Sequence, residues 1–130
     1  MKLLYLPLLA LLLFPVSPTD SVDTVAQLLG KGAVHEIAKL FPTEVEIGLP
    51  GTEQDMHTKA AAESLLTKFF AQNKPLSVKI LHKINSGGNF PYGVVILATA
   101  KGSYRVSFNL KSENGSVLLT KLLIEPEKVK

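Results

Sequence analysis

The stretch LLTKFFAQNKPLSVKILHKI, residues 65–84, contains the change of period on which the fold turns. Before Asn73 the apolar residues recur at helical spacing, and with Ala62 the side chains of Leu65, Leu66, Phe69 and Phe70 form one broad stripe. After Pro75 the period becomes two. Leu76, Val78, Ile80, His82 and Ile84 alternate with Ser77, Lys79, Leu81 and Lys83, which a strand would place on opposite faces. The residue before a proline avoids helical dihedrals, so Pro75 is the boundary. These residues predict a long helix from about Thr58, which serves as its cap, to Asn73, followed by a strand from 76 to 84.

The period of two continues toward the C-terminus. Residues 85–89, with Gly87 and Gly88, read as a loop. Tyr92 to Ala100 is apolar on both faces, as in a central strand. Lys101 and Gly102 turn the chain into Tyr104, Val106, Phe108 and Leu110, which alternate with Arg105, Ser107 and Asn109. Asn114-Gly115 is a hairpin turn, because both positions accept positive φ, and 117–125 reads as the last strand. Four strands in hairpin succession predict an antiparallel meander covered by helices on one face.

Toward the N-terminus, Glu44, Val45, Glu46 and Ile47 alternate as a half-buried strand does, and residues 53–57 offer a short edge strand after Pro50-Gly51. Val34, Ile37, Ala38 and Phe41 fit one helical face before Pro42, with His35 turned to water. Val22, Val25, Ala26 and Leu29 fit another behind Ser21, and Gly30 and Gly32 interrupt the chain between them. The fold class expected is α+β: two short helices and one long helix packed on a curved antiparallel sheet.

Met1 and Lys2 precede an apolar run from Leu3 to Val16, and no charge follows until Asp20. That is the pattern of a secretory signal peptide, expected over residues 1–19 and cut between Ser17 and Ser21. Pro7 and Pro15 shorten the apolar run below the roughly 20 residues that a spanning helix needs, so no permanent membrane anchor is expected. A single domain over 20–126 and a polar tail over 127–130 complete the organisation. The chain lacks cysteine, which excludes disulfides, thiolate metal sites and a cysteine nucleophile. Export without disulfides suits the bacterial periplasm, and periplasmic or secreted is the localisation expected.

The net charge is +3, and of the 14 basic residues only Arg105 is an arginine. They are scattered and the chain has no tryptophan, so nucleic-acid binding is not expected. His35, His57 and His82 are too far apart for a local metal motif, and no lysine with serine or threonine completes a phosphate loop after the glycines. Neither metal nor cofactor is expected.

The order of helices, strand pair, long helix and meander resembles the nuclear-transport-factor-two-like superfamily, a cystatin-like α+β cone. Within it the chain looks like an uncharacterised exported bacterial family. The likeness is carried by Gly32-Ala33-Val34 to Phe41, by the helix ending in Phe69-Phe70-Ala71-Gln72-Asn73-Lys74-Pro75, by the His82 strand and by Gly102-Ser103-Tyr104-Arg105-Val106. The resemblance implies a cavity between the long helix and the concave sheet, and pairing of two copies through the convex face.

On that basis His82, Tyr104, Tyr92, Phe69 and Phe108 are the candidate cavity residues. A buried His82 would be a general base or ligand-binding group, or a core histidine satisfied by a backbone carbonyl or a tyrosine hydroxyl. Tyr104 would line the cavity, or fill the core with one hydrogen bond. Leu81, Val95, Leu97, Leu119 and Leu123 are the candidate interface on the second face, suited to a homodimer. No carboxylate lies on the apolar face of the meander. The functional expectation is therefore a non-catalytic domain that binds a small apolar ligand or a protein partner. The alternative is a small lyase, isomerase or hydrolase using His82 with Tyr104 or Asp55.

Overall fold

The computed structural model of the chain describes residues 21–84 and 89–127. The expected signal peptide, the tip of the glycine loop and the last three residues lie outside them. Helices α1 (Ser21–Lys31), α2 (Val34–Ala38) and α3 (Lys59–Gln72) cover one face of a sheet built from β1 (Glu44–Gly48), β2 (Asp55–Thr58), β3 (Pro75–Ile84), β4 (Tyr92–Thr99), β5 (Gly102–Glu113) and β6 (Ser116–Pro126). The sheet order is β2-β1-β6-β5-β4-β3. Strands β3 to β6 form the expected antiparallel meander. One join differs: β1 runs parallel to β6, with Glu46 opposite Lys121. A parallel neighbour needs a crossover, and here the chain between β1 and β6 makes β2, α3 and three meander strands before it returns.

Local chemistry sets the element ends. Gly32 at φ 63° closes α1: its N–H donates to Leu29 O and that of Ala33 to Leu28 O, both at 3.0 Å, the paired bonds of a Schellman ending. Thr58 Oγ1 accepts from Ala61 N at 3.2 Å and caps α3, as its position predicts. At the other end, the N–H of Asn73 and its side-chain Nδ2 both donate to Phe69 O, each at 2.9 Å. Asn114 and Gly115, at φ 51° and 78°, make the two-residue turn between β5 and β6.

The core lies between the helices and the inner face of the sheet. Val22, Val25 and Leu29 of α1, Ile37 of α2, and Leu66 and Phe69 of α3 meet Val95, Leu97, Val106, Phe108 and Leu122, all buried. Gly93 explains how close the layers come, since a Cβ there would stand 2.7 Å from both Phe108 Cζ and Val22 Cγ1. A larger residue there would force the Phe108 ring or the Val22 side chain to shift.

Three extra residues in the strands decide which side chains face this core. In β3, Ile80 stands opposite Val95 and His82 opposite Val94, so Leu81 is a bulged residue, and Leu76 is another. In β6, Asn109 stands opposite Lys121 and Leu110 opposite Leu119, so Thr120 is extra. Each bulge reverses the alternation beyond it.

Candidate binding face

Strict alternation through β3 puts His82 with Val78 and Ile80; the bulge at Leu81 moves it to the opposite face. Val78 and Ile80 stand across from the buried Leu97 and Val95, whereas His82 stands across from the half-buried, outward Val94 and is itself exposed. The next residue confirms the reversal, because Lys83 turns inward opposite Gly93 and its Nζ reaches Asp23 of α1 at 3.2 Å. His82 is therefore an outer-face side chain rather than a cavity histidine.

The five candidate cavity residues separate into two groups. Phe69, Phe108 and Tyr104 lie on the helix side. Phe108 is wholly buried, and the Tyr104 ring meets the Phe69 ring edge-on at 5.1 Å and 77°. The Tyr104 hydroxyl donates to Asn73 Oδ1 at 2.8 Å, which with the Nδ2 bond to Phe69 O occupies both ends of that buried amide. Tyr104 thus takes the role of core filler with one hydrogen bond. Tyr92 and His82 lie on the other face of the sheet.

The candidate interface divides as well. Val95, Leu97 and Leu119 are fully buried in the core, while Leu81 is 44% exposed and Leu123 half-buried on the outer face. The turn at Ala100-Lys101 pairs Thr99 with Gly102, and that register sets Leu97 opposite Tyr104 and Val95 opposite Val106, all inward. The bulge at Thr120 does the same for Leu119 while leaving Leu123 outward.

No shared site exists for the His82 alternatives. Tyr104 points to the helix side and His82 to the other, and Asp55 sits on β2, at the opposite end of the sheet from β3. Among the described residues no cluster of three or more histidine, aspartate or glutamate side chains could hold a metal, and no helix is long and apolar enough to cross a membrane.

What the outer face offers is a pair of clefts. One, of about 370 Å³, is lined by Leu81, His82, Tyr92, Val94, Arg105, Ser107 and Glu125. The other, of about 620 Å³, runs from Arg105, Leu123 and Glu125 to the β1–β2 connection at Leu49, Pro50, Thr52 and Gln54. Both have Arg105 and Glu125 in their walls, so the clefts meet at the centre of the sheet. That connection is a turn held by Thr52, whose N–H and Oγ1 both donate to Leu49 O at 3.0 Å. Gly48 lets it close over β6, since a Cβ at Gly48 would meet Leu123 Cδ1 at 2.5 Å.

Arg105 is an outer-face residue that the sequence places on that face without marking it as a candidate for binding. Its Cα partners are Ile96 on β4 and Glu125 on β6, yet its guanidinium makes no hydrogen bond or ion pair with another described residue. The signal available was its being the sole arginine, placed mid-strand among outward side chains.

Solved structures with this architecture are similar at low identity. A crystal structure of a DUF4783 family protein from Bacteroides ovatus matches with a TM-score of 0.73 at 21% identity, covering 81% of this chain and 94% of that one. Another from Bacteroides uniformis matches at 0.75 and 19%, covering 85% and 100%. A variant of the designed protein Rd1NTF2_05 matches at 0.60 and 12%, covering 79% and 91%, in line with the nuclear-transport-factor-two-like cone. No curated protein matches the chain. A family model described as a domain of unknown function, DUF4783, matches residues 22–125, and the chain belongs to that family.

Proposed function

We propose that this chain is an exported, non-catalytic binding domain whose outer sheet face receives a small apolar ligand. The observation that supports this most is the meeting of two clefts at Arg105 on the face away from the helices. The walls of both clefts mix apolar with polar side chains in comparable share, and the two volumes fall within the range of small-molecule sites, roughly 300–1,000 Å³. Separation of His82, Tyr104 and Asp55 supports binding over catalysis. The apolar run behind Lys2 supports export to the periplasm or beyond.

A second occupant of the same face is another copy of the chain. Arg105 and Glu125 are cross-strand neighbours of opposite sign, and a twofold axis passing between them would set Arg105 of each subunit against Glu125 of the other.

Amide chemical-shift mapping with a set of small apolar compounds tests the ligand reading. Shifts concentrated at Val94, Arg105, Ser107 and Leu123 are expected. Shifts confined to α3 and the inner residues of β5 would overturn it.

A further inference from the structure

Building on the proposal that the outer face binds a small ligand, we infer that the ligand is an apolar monocarboxylic acid, its carboxylate held by Arg105. Of the 14 basic side chains only this one is a guanidinium, and it stands where the two clefts meet, with no described protein partner. A guanidinium presents a planar fork that matches two carboxylate oxygens, which an ammonium group cannot do.

The surroundings of Arg105 restrict the ligand further. Leu81, Tyr92 and Val94 line the smaller cleft and suit a hydrocarbon body, while the Tyr92 and Ser107 hydroxyls offer further donors beside the guanidinium. Glu125 is in the wall of both clefts and Glu127 in that of the larger, and their negative charge opposes any anion, a dianion more than a monoanion. A monoanion with an apolar tail fits that balance, and a phosphate dianion does not. Because Arg105 is exposed, solvent screening limits its contribution.

The test is an amide-shift titration of the purified chain with octanoate, and in parallel with octan-1-ol as the neutral probe of equal length. Octanoate should bind about tenfold more tightly than octan-1-ol, moving the amides of Val94, Arg105 and Ser107. Arg105→Gln, with an unchanged melting temperature, should abolish that difference, and Glu125→Gln should tighten octanoate alone. Equal binding of the two probes at these amides would overturn the carboxylate while leaving the ligand-binding face intact. No shift there with either probe would overturn both. An unchanged octanoate preference in Arg105→Gln would assign the carboxylate elsewhere and overturn the inference.

Discussion

The Tyr104 hydroxyl and Asn73 Oδ1, 2.8 Å apart, tie the central strand β5 to the residue that ends α3. Asn73 is 7% exposed, so little solvent is at hand to replace the tyrosine at its amide oxygen. Tyr104→Phe keeps the ring against Phe69 and removes only the donor. A buried acceptor left unpaired costs about 1–3 kcal/mol, so urea unfolding should show a loss of that size. Ligand shifts on the outer face should be unaffected, because the hydroxyl points away from it.

Gly93 and Phe108 stand opposite each other on β4 and β5, and the glycine leaves the space that the ring fills. Gly93→Ala should destabilise by about 1–3 kcal/mol through overpacking. The double variant Gly93→Ala with Phe108→Leu should cost less than the sum of the two single changes, because the shorter side chain vacates the clash. Additive costs in a denaturation cycle would show that the close approach is not what selects glycine.

Element positions are legible in the residues because their causes are local. The helix stop at Pro75, the Thr58 cap and the Asn114-Gly115 turn each depend on neighbours within a few positions. Which way a side chain faces is not local in the same sense. The sequence LSVKILHKI has no glycine or proline at Leu81 to mark a bulge, and the extra residue is visible only as a register step against β4. The apolar run of β4 carries no alternation to orient Val95 and Leu97; the turn to β5 and the packing of α1 orient them. The fold was therefore readable while the candidate site was not, since one bulge transfers His82 from the core side to the outer face.

His82 supplies a direct check of that transfer. As an exposed residue with no described hydrogen-bond partner, it contributes little to the core. His82→Ala should change stability by no more than about 0.5 kcal/mol. Deleting Leu81 should also be tolerated, because it removes only the extra residue: Ile80, His82 and Lys83 stay opposite Val95, Val94 and Gly93, and Lys83 stays beside Asp23. Thermal melts of both variants should lie close to that of the unaltered chain; a large loss on deleting Leu81 would contradict the bulge.

Pairing of two copies through the outer face makes a charge-specific prediction. In a twofold arrangement Arg105 of each subunit lies against Glu125 of the other, so Arg105→Glu sets four carboxylates together and should keep the chain monomeric. The swap of Arg105→Glu with Glu125→Arg restores opposite signs and should restore association. Leu123→Lys should also weaken pairing, since it places a hydrated ammonium in the apolar part of the same face. Sedimentation equilibrium over a wide concentration range reads all three variants against the unaltered chain. A monomer at the highest concentration would leave the clefts open to small ligands alone, and a dimer indifferent to the Arg105 and Glu125 charges would place the contact on another surface.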